Sequence, residues 1–91
     1  MFFWTRLYVD TESIIDKVKG VIHDVADFRK IVHKNWRRTL QHTDSSLLLV
    51  YSNEDERKAN RNLAGSVPLG GYFTTEENPL VVVAPARPSG L

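Results

Sequence analysis

The start of the chain alternates hydrophobic and polar positions, which predicts two β-strands. The first strand is expected over residues 2–9, where aromatic and β-branched residues favour it. One of its faces would carry Phe3, Thr5, Leu7 and Val9, and the other Trp4, Arg6 and Tyr8. After a turn at 10–13, residues 14–22 fit either a short capped helix or a strand of period two. We favour a strand that pairs with the first as a hairpin.

The middle of the chain has the spacing of an amphipathic helix. Its apolar residues recur at intervals of three and four, which places them on one face over about four turns. These residues are Val25, Phe28, Ile31, Val32, Trp36 and Leu40. Asp24 is suited to cap the helix, and Asp27 lies where an acidic side chain interacts favourably with the helix dipole. We therefore predict one main helix whose apolar face covers a sheet.

Two apolar runs predict strands in the second half of the chain. The run at 46–51 is continuous, which predicts a strand that is buried on both faces or central in a sheet. The run at 80–84 ends at Pro85, which cannot donate a hydrogen bond to a sheet. Between them we expect a short surface helix within 53–62, a loop rich in glycine and proline at 63–72, and a turn at 74–78.

This order of elements is strand, strand, helix, strand, irregular crossing and strand. A hairpin followed by one helix on a mixed sheet is the β-grasp, or ubiquitin-like, arrangement, so we predict an α+β domain with roughly four or five strands. The strand at 80–84 would be central in it, beside residues 3–9 and beneath the helix. We place the domain at 1–86, and 87–91 would be a tail or a linker to a further domain.

The composition narrows the classes of function. The chain of 91 residues has room for one small core. Its net charge of +1 is too small to attract the whole chain to nucleic acid or to an anionic membrane. It has no cysteine, which excludes disulfides and thiol chemistry. No apolar run reaches the length of a spanning helix, and Arg6 interrupts the apolar start too early for a signal peptide. If the protein is secreted, its leader is not in this chain.

Three sequence blocks carry a family resemblance. Residues 24–32 read Asp-Val-Ala-Asp-Phe-Arg-Lys-Ile-Val, 45–53 contain Ser-Leu-Leu-Leu-Val-Tyr, and 80–85 read Leu-Val-Val-Val-Ala-Pro. Together with Pro68-Leu69 they resemble the DVADFRxAV, SLLVYxN and LxVVVP motifs of the ubiquitin-like N-terminal domain in oomycete Crinkler-type secreted effectors. The order of the blocks matches the family over about residues 24 to 85, and residues 3–9 match loosely. The family's LFLAK translocation motif is not recognisable here.

The resemblance implies a ubiquitin-like N-terminal module that acts in delivery into host cells or in binding a host protein. In that family the module belongs to proteins secreted by a pathogen, and the toxic or nuclear activity belongs to a separate C-terminal domain that joins after the VVVP motif. The chain is thus expected to be such a module alone, secreted and then located in the host cell. Two alternatives remain open: a self-associating scaffold domain of the same fold, and weak nucleic-acid binding through a basic helix face.

Two surfaces are candidates for partner binding. One is the polar side of the predicted helix, whose cations could contact phosphates or an acidic partner. Its residues are Lys30, His33, Lys34, Arg37 and Arg38. The plainer interpretation is a solvated face balanced by the acidic residues Glu54, Asp55 and Glu56, and the net charge argues against a dedicated nucleic-acid binder.

The second candidate is the outer side of the first strand, formed by Trp4, Arg6 and Tyr8. Tryptophan, tyrosine and arginine are enriched at the hot spots of protein interfaces. The plainer interpretation is that the segment 53–73 or a second chain covers this face. Trp36 is expected in the core, because it follows the apolar stripe of the helix.

No pattern predicts catalysis, a cofactor or a small-molecule substrate. The spacing of His23, His33 and His42 fits no metal site, and no serine lies in a motif that activates a nucleophile. Gly70-Gly71 lacks the lysine and hydroxyl residue of a phosphate loop, so a tight turn that uses positive φ explains it better. We predict a binding module that is not an enzyme.

Overall fold

A mixed four-stranded sheet packs against one main helix in the computed structural model, which describes residues 2–86. The order along the chain is β1 (Phe2–Val9), β2 (Glu12–Lys19), α1 (Val25–Asn35), a 3₁₀ turn (Ser45–Leu47), β3 (Leu49–Tyr51), α2 (Glu54–Lys58) and β4 (Leu80–Val83). The strands lie in the order β2-β1-β4-β3. This small α+β arrangement is compatible with a β-grasp-like fold. The predicted tail at 87–91 lies outside the described residues.

The hairpin between β1 and β2 confirms the prediction of a second strand, with different bounds. Val9 pairs directly with Glu12, so the turn is only two residues long, and Asp10 adopts a positive φ of 56° in it. The strand therefore starts before residue 14. It ends at Lys19, and Gly20 then turns the chain with φ of 157°. A side chain at Gly20 would come within 2.7 Å of the Cδ1 atom of Ile31 on α1.

The last strand lies in the centre of the sheet, as predicted. β4 pairs in parallel with β1 and antiparallel with β3, and Leu80, Val81 and Val82 are fully buried. The prediction for β3 is wrong in its length and in the central alternative, because β3 is a three-residue edge strand. Its first residues are taken into the 3₁₀ turn that Asp44 caps, and Leu47 and Leu49 remain exposed. The other alternative, burial on both faces, holds for Val50 and Tyr51.

The start of α1 is held by several hydrogen bonds. The Asp24 carboxylate accepts from the Asp27 N–H at 2.9 Å, which confirms the predicted cap. The N–H groups of Val25 and Ala26 donate to the carbonyls of Val67 and Gly65 in the loop before β4. The amino end of α1 thus has its free donors occupied.

The end of α1 comes earlier than the apolar spacing predicts. The helix stops at Asn35, and Trp36 caps it with its N–H bonded to the Val32 carbonyl. Residues 36–40 continue as turns, yet Leu40 is fully buried. The apolar spacing therefore predicts correctly that Leu40 contacts the core, although it predicts the wrong backbone conformation there. A non-helical turn can also direct a side chain inward.

The core lies between α1 and one face of the sheet, which we call the inner face. Phe28 of α1 meets Phe3 of β1 edge to face, with ring centroids 5.9 Å apart. The other core residues are Leu7, Val9, Val18, Ile22, Val25, Val32, Leu40, Leu48, Val50, Leu69, Leu80, Val82 and Ala84. None of the helices within residues 2–86 is long and apolar enough to cross a membrane.

Candidate partner-binding surfaces

The opposite side of the sheet, which we call the outer face, carries Trp4, Arg6 and Tyr8. All three side chains are half-buried, whereas Phe3, Thr5, Leu7 and Val9 are buried on the inner face. The predicted division of β1 into two faces is therefore confirmed. Part of the outer face is covered, because α2 packs on it beside Val81 and Tyr51, which are also buried.

Tyr8 belongs to a polar cluster with α2. Its hydroxyl donates to the Glu54 carboxylate at 2.6 Å, and the Arg57 guanidinium lies 4.4 Å from the centre of the Tyr8 ring. Arg57 also pairs with Glu54 at 3.0 Å. Partial burial by itself raises the pKa of Glu54, but the hydrogen bonds from Tyr8 and Arg57 and the charges of Arg57 and Arg6 outweigh it and lower that pKa. Tyr8 is thus held by the fold, which leaves it less available to a partner.

Arg6 lies at the centre of the outer face. Its Cα is paired with those of Ile15 on β2 and Val81 on β4. Its Nε atom is buried without a hydrogen-bond partner within the described residues, while the side chain as a whole is half-buried. Because that atom is buried, only the exposed part of the Arg6 side chain could pair with a carboxylate on a partner.

The ammonium group of Lys17 lies close to two aromatic rings, those of Trp4 and Phe2. The Nζ atom of Lys17 on β2 lies 5.1 Å from the Trp4 ring and 5.3 Å from the Phe2 ring. The backbone N–H of Trp4 donates to the Thr74 hydroxyl at 2.8 Å. Phe2, Lys17, Trp4 and Arg6 therefore form a continuous, partly exposed row along the hairpin.

The basic candidates do not form one helix face. Lys30 and Lys34 are exposed on α1, whereas Arg37 and Arg38 follow the helix in the turns at 36–40, so their predicted position is wrong. His33 is half-buried, and its Nε2 donates to the Thr43 carbonyl at 2.7 Å. This bond ties the end of α1 to the following loop, so His33 is a structural contact more than a binding residue.

The acidic residues of α2 do not balance these cations. Glu54 pairs with Arg57, and Glu56 pairs with Arg61. These are the two ion pairs seen among residues 2–86, and both are local to α2. Residues 28–43 include no aspartate or glutamate. The cations Lys34, Arg37 and Arg38 therefore keep their charges unpaired within the described part of the chain.

Other possible sites lack the necessary geometry. No group of three histidine, aspartate or glutamate side chains within residues 2–86 could hold a metal ion. The Nε2 atom of His42 donates to the Pro85 carbonyl at 2.9 Å. Gly70-Gly71 forms a turn closed by the Tyr72 N–H and the Leu69 carbonyl, as predicted, but neither glycine uses a positive φ.

The edge of β2 bears on the alternative of self-association by strand pairing. An added strand would need the outward N–H groups of β2. The N–H of Lys17 is already taken by the neighbouring Asp16 carboxylate at 2.8 Å. Charged residues that occupy a sheet edge in this way discourage strand addition.

Sequence reasoning missed one prominent surface residue. Phe73 is 94 % exposed, and Phe2 is 48 % exposed in the same region. The two glycines before Phe73 and the acidic turn after it could have indicated an exposed loop. Neither a protein-family model nor a curated protein matches this chain, so its function is inferred from these surfaces and from the order of the elements.

Proposed function

We propose that this chain is a ubiquitin-like β-grasp module that binds a protein partner and does not catalyse a reaction. The order β2-β1-β4-β3, with a parallel central pair and one helix on the inner face, supports this assignment of the fold. The partly open outer face supports the binding role, because it combines Trp4 with an incompletely bonded Arg6.

In its biological setting, the module is proposed to be the N-terminal domain of a Crinkler-type secreted effector, acting in delivery into host cells or in host-protein contact. Each of the three sequence blocks coincides with a structural unit. Residues 24–32 contain the cap and first turns of α1, 45–53 contain β3 and the cap of α2, and 80–85 contain the central strand. This coincidence is the observation that carries the proposal.

The binding mode follows from the chemistry of the outer face. The Trp4 ring can bury apolar area against a partner, and Lys17 and Arg6 place two cations beside it. A partner segment with an apolar side chain flanked by a carboxylate would match both features. Tyr8 supports the site by holding α2 in place through Glu54.

Delivery is tested with the whole chain carrying a leader before it and a fluorescent reporter after it, expressed in an oomycete pathogen during infection. We expect reporter fluorescence inside host cells. The same leader and reporter without the chain is the control. Fluorescence that stays outside host cells in both cases would refute the delivery role.

The outer face is tested by proximity labelling inside host cells with the whole chain. Proteins labelled by the wild type and lost in the Trp4→Ala/Arg6→Ala double variant would be partners of this face. The variant Leu47→Ala/Lys58→Ala removes an exposed apolar and a basic side chain elsewhere and should keep the labelling pattern. If all three proteins label the same set, the outer face is not the binding surface.

A further inference from the structure

We propose that a second surface of this protein, which shares Phe2 and Lys17 with the row on the outer face and extends from them to Phe73 and Lys34, docks onto an anionic lipid membrane. Its apolar part is Phe2 and Phe73, and its basic part is Lys17, Lys19 and Lys34. We call these five residues the aromatic–basic end. The proposal does not rest on the assignment to a family of effectors.

The two phenylalanines form the apolar part of this end. Phe73 is 94 % exposed and Phe2 is 48 % exposed, so neither ring is needed to fill the core. Both rings line one surface depression of about 400 Å³, together with Gly70 and Tyr72. Large aromatic side chains that project from a loop into solvent are suited to enter the boundary between headgroups and acyl chains.

The lysines lie directly beside these rings. The Nζ atom of Lys17 is 5.3 Å from the centre of the Phe2 ring, and Lys19 is the Cα partner of Phe2 across the hairpin. Lys19 and Lys34 line a second depression of about 510 Å³. None of the three forms an ion pair with an acidic side chain within residues 2–86. Their charges complement a negatively charged bilayer.

A third depression extends the basic surface further. It has a volume of about 420 Å³, and it shares Lys34 with the second depression while adding Arg37 and Arg38. The net charge of +1 does not contradict this arrangement. In physiological salt, charges act over roughly 8 Å, so a membrane responds to the nearest side chains and not to the whole chain.

Single-stranded nucleic acid is the competing occupant, because aromatic rings and cations also bind it. Base stacking needs an open ring face. One face of Phe2 already carries Lys17, which a base would have to displace, so Phe73 is the more open of the two rings to a base. A bilayer needs no such exchange, since Lys17 can remain at the level of the headgroups while Phe2 and Phe73 enter below it. These contacts favour the membrane.

The test measures sedimentation of the full chain with vesicles of equal parts phosphatidylcholine and phosphatidylserine. We expect binding to these vesicles and at least about tenfold weaker binding to phosphatidylcholine alone. Phe73→Ala should weaken binding about fivefold or more, because it removes an inserting ring. Lys19→Glu/Lys34→Glu should weaken it more strongly, since it reverses two charges.

Matched controls separate the surface from general effects. Leu47→Ala removes another exposed apolar side chain, and Lys58→Glu reverses a cation on α2, so neither should change binding. Circular dichroism checks that every variant folds. Glu76 and Glu77 lie three and four residues after Phe73 and oppose an anionic surface. Glu76→Gln/Glu77→Gln should therefore strengthen binding.

Three results would overturn the proposal. The first is no binding to either vesicle. The second is binding that Phe73→Ala leaves unchanged, which would mean charge attraction without insertion. The third is preference for a single-stranded oligonucleotide that competes the protein off the vesicles, with the same variants weakening that complex, which would assign this end to nucleic acid.

Discussion

The two faces of the sheet are covered by different kinds of contact. On the inner face, α1 packs with apolar side chains such as Phe28, Val25 and Val32, all fully buried. On the outer face, the short helix α2 is attached to β1 by the hydrogen bond from Tyr8 to Glu54 and by Arg57 against the Tyr8 ring, while the Arg57–Glu54 ion pair lies within α2. Apolar burial supplies most of the folding free energy, while partly exposed polar contacts supply little.

This difference indicates where the protein can change without unfolding. Substitution on the inner face leaves a cavity or an unbonded polar group, and both are costly. At the half-buried positions of the outer face, such as Trp4 and Val83, solvent can replace the lost contact, whereas Val81 and Tyr51 on that face are buried. The residues proposed for partner binding, Trp4 and Arg6, therefore lie at half-buried positions where substitution should cost the fold less.

The largest expected effect comes from removing the central ring of the inner face. Phe28→Ala should lower the free energy of unfolding by about 3–5 kcal/mol, because the core cannot fill the cavity. Trp4→Ala on the outer face should cost about 1 kcal/mol, since its ring is only half-buried. Urea denaturation followed by circular dichroism measures both. Equal losses would contradict the difference between the faces.

Two substitutions on the central strand β4, one on each face, compare the inner and the outer face within a single strand. Val82→Thr should lower the free energy of unfolding by about 1–3 kcal/mol. Val82 is fully buried on the inner face, so the threonine hydroxyl would lose its hydrogen bonds to water on folding. Val83→Thr, on the half-buried outer side, should cost less than about 1 kcal/mol. The two thermal midpoints, measured side by side, should rank in this order.

The N-caps of α1 and α2 allow the same comparison between the two helices that cover the inner and the outer face. Asp24→Ala should cost about 1 kcal/mol, because the Asp27 N–H loses its acceptor at the start of α1. Asn53→Ala removes the equivalent bond to the Glu56 N–H, at 2.9 Å, but α2 is a short helix. Its loss should appear mainly as faster hydrogen exchange in α2. Global unfolding in both variants would show that the two layers are equally coupled to the core.

The smallest expected effect concerns the pH dependence of the outer cluster. The pKa of Glu54 is lowered in the folded protein from its ordinary value of 4.5, so the cluster stabilises the fold above that pH and loses this effect as the pH falls through the lowered value. Tyr8→Phe should bring the pKa of Glu54 back up, as measured by NMR titration of its carboxyl group. The loss of stability at neutral pH should be about 0.5 kcal/mol, because solvent screens this partly exposed pair.

Tyr72→Phe is the matched control for that titration. Tyr72 packs against the core, and the hydroxyl that bonds to Glu54 is that of Tyr8. The pKa of Glu54 should be unchanged in this variant. A rise in both variants would mean that loss of any tyrosine hydroxyl, and not of this hydrogen bond, perturbs the cluster.

Local sequence signals were sufficient for the elements that depend on near neighbours. The alternation in β1, the Asp24 cap, the short helix after Asn53 and the turn at 75–78 all follow from residues a few positions apart. The central position of β4 followed from the β-grasp order of the elements together with the apolar run at 80–84, and the strand order confirms it. Val81 and Val82, which point to opposite faces, are both buried.

Predictions failed where a competing hydrogen bond, and not the hydrophobic pattern, decided the backbone conformation. The apolar spacing continued to Leu40, but α1 ended at Asn35, with His33 tied to the carbonyl of Thr43. The run at 46–51 predicted a strand that is buried on both faces or central in the sheet. Its first residues instead entered a 3₁₀ turn, because the Asp44 carboxylate accepts from the Ser46 N–H. In both cases the hydrophobic pattern recorded burial better than it recorded the backbone conformation.

The sequence by itself determined which side chains are apolar, which helix ends are capped and how β1 divides into two faces. These properties depend on periodicity and on local hydrogen bonds. Only the tertiary structure decided that α2 reaches Tyr8 and that Phe2, Phe73 and Lys19 share one end. These juxtapositions join residues up to about seventy positions apart, and such contacts form through the packing of the whole chain, which no local pattern records.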